Sequence, residues 1–316
     1  MTADRPTLSV VAPVFNEEAI LHELYRRLSQ VLDGAALSWE LVLINDGSRD
    51  RSPQIMRELH DQDPRVKVLD FARNFGHQIA ITAGHDFASG DTVTTIDADL
   101  QDPPELISEL IAAWRRGADI VYAVRIERKG ETAFKKGAAS LFYRMMRRLA
   151  DVDMPVDVGD FRLLSRRAVD ALQSMPEHHR YVRGMVAWLG FPSASVSYSR
   201  DPRLTGETKY PLGKMVRFAL DGVLAFSNRP LRIATWLGIV TSVAAFLAAI
   251  VLVVGRLTGA IPVVQGWTSL AVILLFFSGV QLMTIGALGE YTGRIYTEVR
   301  GRPLYLVSET LGHPAD

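Results

Sequence analysis

The chain has 316 residues, enough for one large domain or two, and its 35 basic and 35 acidic residues give a formal net charge of zero. A neutral chain has no global excess of positive charge, so we expect no nucleic-acid partner. The absence of cysteine excludes disulfides and thiolate metal sites, and it suits a reducing compartment.

Residues 1–230 alternate short apolar runs with amphipathic runs, which predicts an α/β domain with a mostly parallel sheet and helices on both faces. One predicted helix follows Asn16, its candidate N-cap. Another covers Pro104–Arg116, with Asp102 as its N-cap. The predicted strands are Leu8–Val14, Trp39–Ile44, Arg65–Phe71, Asp91–Asp97, Asp119–Val124 and Val158–Ser165.

Polar residues follow the first three strands, and two of them have alternative interpretations. Glu17 is either a favourable charge near a helix N-terminus or a contact to a nucleoside. Asp46 is suited to accept hydrogen bonds from a base or ribose, or to cap the next helix. His77 is predicted to be a polar loop residue rather than a metal ligand, because no second histidine stands at ligand spacing.

The fourth strand ends in two acids, Asp97 and Asp99. If the strand persists, both carboxylates project to the same side, at the sheet edge where α/β proteins hold ligands. Such oxygens suit a divalent cation that carries phosphates, although the spacing alone equally fits two solvated acids. No glycine-rich phosphate loop occurs, so a metal would supply the missing charge neutralisation. Asp160 is expected either near these acids or in a β-turn.

Two uncharged runs, 234–255 and 267–289, are each long enough to cross a bilayer as a helix. Basic residues flank the pair on its outer sides, so the positive-inside rule predicts that both termini and the large domain are cytoplasmic. Small residues in both runs would permit close helix packing, which leaves a homo-oligomer such as a tetramer open.

Residues 131–149 and 212–227 predict amphipathic basic helices that lie on an anionic membrane face, with a solvated charged helix as the alternative for the first. Arg203 and Lys209 flank Gly206 in a polar loop that is suited to close over an anionic ligand. We therefore predict four regions: a domain over 1–211, a juxtamembrane helix over 212–230, two transmembrane helices over 231–290, and a cytoplasmic tail over 291–316.

The ordered set of motifs resembles the family-2 glycosyltransferases of GT-A fold that load a sugar onto a polyprenyl phosphate. The motifs that carry the resemblance are Pro13–Glu18, Asn45–Ser48, Asp97–Glu105, Gly159–Arg162, and Arg203 with Gly206–Tyr210. The subgroup that looks most similar comprises bacterial bactoprenol glucosyltransferases, which are related to dolichyl-phosphate mannose synthase. The resemblance implies a Rossmann-like cytoplasmic GT-A domain on the bacterial inner membrane, which transfers glucose from UDP-glucose to undecaprenyl phosphate with inversion.

The resemblance also implies a role for individual positions. The ligands of Mg²⁺ or Mn²⁺ would be Asp97, Asp99 and Gln101. The residues that contact the nucleotide would be Pro13, Phe15, Glu17, Asp46, Ser48, Asp97 and Ala98. The acceptor phosphate would meet Arg125, Ser140, Arg203 and Lys209. The catalytic residues would be Asp160, Asp99, Arg203 and Lys209.

We expect Asp160 to orient the sugar or the acceptor rather than to accept a proton, because a phosphate nucleophile already carries about −1.5 to −2 charges. Three other functions compete with this interpretation. A GDP-mannose-dependent mannose synthase differs only in its donor. A processive polysaccharide synthase usually has a Gln-x-x-Arg-Trp motif and more spans, both of which are missing here. A non-catalytic nucleotide-sensing subunit of a lipid-sugar flippase would need no intact acidic metal site.

Overall fold

The computed structural model describes residues 6–35, 37–125, 158–198 and 266–313, together with scattered positions between 235 and 258. The strands in chain order are β1 (Leu8–Val14), β2 (Trp39–Asn45), β3 (Val66–Phe71), β4 (Thr92–Thr95), β5 (Ile120–Arg125), β6 (Val158–Ser165), β7 (Ser193–Tyr198) and β8 (Val307–Leu311). The helices with described bounds are α1 (Leu21–Gly34), α2 (Ser52–Gln62), α3 (His77–Phe87), α4 (Ile107–Arg115), α5 (Arg166–Gln173), α6 (Val182–Trp188) and α7 (Trp267–Arg300).

The strands form one eight-stranded sheet in the order β7-β5-β6-β4-β1-β2-β3-β8. Strands β1 to β4 run parallel to one another, and β7 runs parallel to β5. Two strands are reversed: β6 is antiparallel to both β4 and β5, and β8 is antiparallel to β3. The predicted α/β sheet is therefore present as a mixed sheet in which parallel pairs predominate.

Helices cover both faces of the sheet. Alternate residues of β1, from Leu8 to Val14, join a core with the apolar faces of α1, α2 and α4. On the opposite face, α3 packs against β1 and β2. Strands that are buried on both sides carry near-continuous apolar runs, and every residue of β1 and β2 is buried.

Several predicted boundaries shift in the structure. The first helix begins at Leu21, and Asn16 does not cap it: the Asn16 side-chain oxygen accepts a hydrogen bond from Arg49 N at 2.8 Å. β4 ends at Thr95, before the acidic pair. The elements β7, β8 and α5 were not predicted. Each is short, and the sequences of β7 and β8 are largely polar, so neither strand has the apolar run on which strand prediction depends.

Strand β8 lies within the predicted tail, 291–316, and forms one edge of the sheet. Its Glu309 carboxylate lies 2.7 Å from Arg57 on α2. Just before the strand, the Tyr305 hydroxyl donates to Asp86 at 2.9 Å and its ring stacks on Phe71, with centroids 5.2 Å apart. This part of the tail is thus integral to the sheet.

The described residues fall into two compact units, one containing the sheet with its helices and the other containing α7. Within the described part of the chain, no helix combines the length and the apolar character needed to cross a membrane. The two-helix hairpin over 231–290 stays a prediction. The predicted interfacial helices over 131–149 and 212–227 lie outside the described residues.

The contact between α3 and the sheet generates a stability prediction. A Cβ atom added at Gly84 would lie 2.2 Å from Val11 Cγ1 and 2.9 Å from Ile44 Cδ1. We expect Gly84→Ala to lower the free energy of unfolding by about 1–3 kcal/mol, because the helix must move away from the strands. Urea unfolding followed by circular dichroism measures the change.

Gly34→Ala is the matched control, because no atom lies within 4 Å of the added Cβ. Alanine is the better helix former, so this variant should be neutral or more stable by up to about 1 kcal/mol. Equal stability of the two variants would contradict the close packing of α3.

Candidate active site

The predicted acids meet at the carboxyl end of β4. Strand β6 runs antiparallel beside β4 with Thr95 opposite Arg162, so Asp97, two residues after Thr95, and Asp160, two residues before Arg162, come to the same level. His77, the first residue of α3, places Nε2 3.4 Å from Asp97 Oδ1 and 3.4 Å from Asp160 Oδ2. The expected approach of Asp160 to the acids after β4 is confirmed for Asp97.

Asp160 is almost fully buried and surrounded by donors. Its Oδ1 accepts from Arg162 Nη2 at 2.9 Å and from Arg183 Nε at 3.0 Å. Its Oδ2 accepts from Arg183 Nη2 at 2.8 Å and from Gln78 Nε2 at 3.3 Å. Burial alone would raise the pKa of Asp160, but the Arg183 charge and the hydrogen bond with His77 outweigh it and hold that pKa well below its usual range.

The pKa of Asp97 is shifted in the opposite direction to that of Asp160. Burial raises the pKa of Asp97 to about 6; the His77 charge opposes this increase, and the nearby Asp160, Asp102 and Asp99 carboxylates reinforce it. Burial likewise lowers the pKa of His77, yet its hydrogen bond with Asp160 and the charge of Asp97 raise it overall. His77 therefore favours its protonated form more than a free histidine does, and that form places a positive charge between the two carboxylates.

The acidic pair lies in a turn rather than on the predicted strand. After Thr95 only Ile96 keeps a sheet-like bond, donating to Val11 O at 3.0 Å. Leu100 then has a φ of +54°, a left-handed conformation that costs a non-glycine residue roughly 1–2 kcal/mol. Strand alternation was therefore the wrong reason for expecting Asp97 and Asp99 to act together.

Within this turn, Asp99 interacts with both of the other predicted cation ligands. The charge of Asp99 contributes to the raised pKa of Asp97, and Asp99 Oδ1 accepts from Gln101 N at 3.1 Å. Asp97 Oδ1 is buried and accepts no hydrogen bond from the described residues, although it lies 3.4 Å from His77 Nε2 and the Asp97 side chain as a whole is 25% exposed. A buried carboxylate oxygen without a donor fits a cation ligand.

Within the described ranges, no group of three or more His, Asp or Glu side chains is arranged to hold a metal ion by itself. A cation held by Asp97 and Asp99 would take its remaining ligands from phosphates and water, as Mg²⁺ commonly does.

Asp102 does not cap a helix, contrary to the sequence prediction. The next helical turn, Pro104–Leu106, has Pro103 at its cap position and no side-chain cap. Asp102 is instead fully buried, and its Oδ1 accepts a hydrogen bond from the Tyr198 hydroxyl. Arg125 Nη2 lies 3.5 Å from the same oxygen, and Arg125 Nε donates to the Tyr198 hydroxyl at 3.0 Å. We call Asp102, Tyr198 and Arg125 the Asp102 cluster.

Arg125 was expected to meet a phosphate, and that contact stays a prediction. The structure places its guanidinium in the Asp102 cluster with only 18% of the side chain exposed. The group also lies over Gly159, where an added Cβ would be 2.6 Å from Arg125 Nη2. Glycine at this position therefore gives the arginine the space to reach Asp102.

The turns after β1 and β2 are joined by hydrogen bonds. Asn16 N donates to Ser48 Oγ at 3.0 Å, and Glu17 N donates to Ser52 Oγ at 3.0 Å. Among the residues predicted to contact the nucleotide, Phe15 is 47% exposed, whereas Pro13 and Ala98 are buried. Phe15 is therefore the apolar surface that these turns present to solvent.

Asp46 joins the turn after β2 to the turn after β3. Its carboxylate accepts from Phe75 N at 2.7 Å, from Gly76 N at 3.1 Å and from Asn74 Nδ2 at 3.0 Å. Burial raises the pKa of Asp46, and the two backbone donors only partly offset it. The alternative role of Asp46 as a helix cap is not observed, since Arg51 precedes α2. Its contact with a nucleoside stays a prediction.

Three predicted residues, Ser140, Arg203 and Lys209, lie outside the described residues. Two important residues of the site were not predicted: Gln78 and Arg183. Gln78 directly follows His77, which we predicted to be a polar loop residue. The only sequence signal for Gln78 is its position next to this Gly76-His77 pair. Arg183 has no local signal, because it reaches Asp160 from a helix 23 residues further along the chain.

Comparison with known proteins agrees with this architecture. Residues 9–173 match the family described as glycosyl transferase family 2. A solved structure of glucosyl-3-phosphoglycerate synthase from Mycobacterium tuberculosis, in complex with Mn²⁺, UDP and phosphoglyceric acid, is similar with a TM-score of 0.50 and 22% identity, covering 70% of this chain and 77% of that one. This likeness supports the GT-A-like fold.

Two relatives match almost end to end. The chain is 52% identical over 305 residues to the uncharacterized glycosyltransferase YkcC of Bacillus subtilis (strain 168), covering 96% of this chain and 94% of the relative. It is 40% identical over 303 residues to the bactoprenol glucosyl transferase of Shigella phage SfII, covering 96% and 98%. The chain therefore belongs to glycosyl transferase family 2 and is a glycosyltransferase.

Proposed function

We propose that the enzyme transfers glucose from UDP-glucose to the phosphate of a membrane polyprenyl phosphate, with inversion at the anomeric carbon. The product would serve the modification of a cell-envelope glycan or glycolipid. The observation that carries the proposal is the 40% identity to a bactoprenol glucosyl transferase across 96% of this chain. The match extends beyond the sheet to the segments that we propose contact the acceptor.

The chemistry of this reaction makes charge the main difficulty. A phosphate oxygen of the lipid attacks the anomeric carbon, and the bond from that carbon to the nucleoside diphosphate breaks, with the electron pair leaving on the diphosphate. The lipid phosphate already carries about −1.5 to −2 charges, so no strong base is needed to activate it. Two anionic molecules must nevertheless meet, so positive charge at the site matters most.

The described residues supply this charge in a fixed arrangement. Mg²⁺ or Mn²⁺, bound by Asp97 and Asp99 with Gln101 nearby, would neutralise the donor diphosphate when present. In its protonated form, which the flanking carboxylates stabilise, His77 would add a positive charge. Asp160, held by Arg183 and Arg162, keeps one orientation and one charge. We propose that it orients the sugar or the acceptor.

The remaining assignments belong to the same proposal. The nucleotide would lie against the turns after β1 and β2, which are joined by the hydrogen bonds from Asn16 N to Ser48 Oγ and from Glu17 N to Ser52 Oγ. Its predicted contacts are Pro13, Phe15, Glu17, Asp46, Ser48, Asp97 and Ala98. The acceptor phosphate would meet Ser140, Arg203, Lys209 and Arg125. The chain would be a multi-pass protein of the bacterial inner membrane with its catalytic domain and termini in the cytoplasm, because a polyprenyl phosphate keeps its tail in lipid.

Replacing the acidic pair tests the role of the cation. Asp97→Asn combined with Asp99→Asn should lower the rate of glucolipid formation about a hundredfold or more, because the diphosphate charge is no longer neutralised. The rate is measured by mass spectrometry of undecaprenyl phosphate after incubation with UDP-glucose and Mn²⁺. Asp170→Asn is the matched control, because Asp170 is a 60% exposed acid on α5. An unchanged amount of glucolipid from the double variant would overturn the proposed site.

Parallel reactions of the unmodified enzyme with GDP-mannose in place of UDP-glucose test which nucleotide sugar is the donor.

The raised pKa of Asp97 predicts how cation binding depends on pH. Burial raises the pKa of Asp97 to about 6 in the metal-free protein, so its carboxyl takes up a proton as the pH falls through that value. A cation must displace that proton, so the affinity for Mn²⁺ should fall below about pH 6. Electron paramagnetic resonance of free Mn²⁺ measures this, and Asp97→Asn should remove the dependence. A flat profile in the unmodified protein argues against Asp97 as a ligand.

The two possible roles of Asp160 predict different pH–rate profiles. In the orienting role, Asp160→Asn lowers kcat but leaves the profile parallel to that of the unmodified enzyme from mildly acidic to mildly alkaline pH. The pKa of Asp160 lies well below this range, so its ionisation should not appear in either profile. A rate that rises steeply with pH only in the variant would instead identify Asp160 as the general base.

A further inference from the structure

We propose that Tyr198 is a positioning residue of the transferase, which fixes the turn that carries Asp97 and Asp99 through its hydrogen bond to Asp102. This inference rests on the proposed role of Asp97 and Asp99 as cation ligands. Its structural part, the dependence of the turn on one hydroxyl group, is testable without cation, donor or acceptor.

The turn needs an anchor because it leaves the sheet early. β4 ends at Thr95, and the left-handed Leu100 reverses the chain soon after Asp99. Such a conformation persists only where the surroundings determine it. Leu100 is 2% exposed, and at the far end of the turn Asp102 is fully buried. The hydroxyl of Tyr198 contacts that buried carboxylate, so it fixes the end of the turn opposite to β4.

Tyr198 also contacts the strand that carries Asp160. Its ring packs edge-on against Phe161, the residue after Asp160, with centroids 6.0 Å apart. Tyr198 is 5% exposed, and its side chain contacts both Asp102 in the turn and Phe161 on the strand that carries Asp160. A shift of this tyrosine would change the separation of the two acids.

The third member of the Asp102 cluster extends the connection. Arg125 and Tyr198 are register partners, and they are the last residues of β5 and β7. In sequence, the chain continues from Arg125 towards Ser140, and from Tyr198 towards Arg203 and Lys209. Through Asp102, the turn that carries Asp97 and Asp99 is therefore bonded to the ends of β5 and β7, from which the chain continues towards its predicted acceptor residues.

The test uses Tyr198→Phe in the full chain, which removes the hydroxyl and keeps the ring. Tyr25→Phe is the matched control, since the Tyr25 hydroxyl donates to Asp63 at 2.9 Å in an equivalent pair between α1 and the residue after α2. Hydrogen exchange of the peptide covering residues 96–103 is measured in the metal-free protein. The Mn²⁺ concentration that gives half the maximal transfer rate, kcat, and KM for the acceptor are measured separately.

We expect Tyr198→Phe to speed exchange in the 96–103 peptide about tenfold and to raise the half-saturating Mn²⁺ concentration by a similar factor, since a hydrogen bond to a charged group is lost. Saturating Mn²⁺ should restore most of kcat. The melting temperature should fall no more than in the Tyr25→Phe control, whose 96–103 peptide should exchange at the original rate.

A second variant keeps the test decisive if Tyr198→Phe does not fold. Asp102→Asn retains an acceptor for the hydroxyl but removes the charge, and it should change exchange and Mn²⁺ dependence in the same direction. Unchanged exchange at 96–103, or a loss of kcat that Mn²⁺ does not restore, would overturn the positioning role. If the unmodified enzyme transfers no glucose to the lipid, the proposed function fails alone, because the exchange result does not depend on it.

Discussion

Asp160 reaches Asp97 because β6 runs antiparallel to β4, and the rest of the site depends on this pairing. A parallel strand at the same place would bring its carboxyl end, near Ser165, to the acidic turn instead. The reversal puts the amino end of β6 beside the carboxyl end of β4, with Thr95 opposite Arg162. Two acids that lie far apart in sequence then face the same imidazole.

Crowding of carboxylates is costly unless cations accompany them, and the fold supplies these from three elements. Arg162 comes from β6, Arg183 from α6 and His77 from the start of α3. These cationic groups are not divided equally between the two acids: Asp160 is bound by two guanidinium groups, whereas Asp97 Oδ1 lies 3.4 Å from the His77 imidazole and accepts no hydrogen bond from the described residues. The site is therefore complete around Asp160 and incomplete around Asp97, which is the arrangement expected where an external cation binds.

The sequence predicted those parts of the structure whose signals are local. β1 and β2 are mostly apolar because both faces are buried, and their bounds were predicted within a residue. Asp102 was misassigned because an acid before a proline resembles a helix cap, while its true partner, Tyr198, lies 96 residues away. Arg183 and β8 were not predicted for the same reason, because each is defined by a partner that is distant in sequence. In addition, an exposed edge strand such as β8 needs no apolar run.

Strand β8 also affects how the protein is made. A ribosome synthesises residues 307–311 after all the chain that separates them from β7, so throughout that interval β3 is an open edge of the nascent sheet. Open edges invite pairing with strands of other molecules. The newly made domain is therefore exposed to mispairing until β8 arrives, and the Arg57–Glu309 ion pair then secures the strand on that edge. Translation that stops before Val307 would release a catalytic sheet with this edge unprotected.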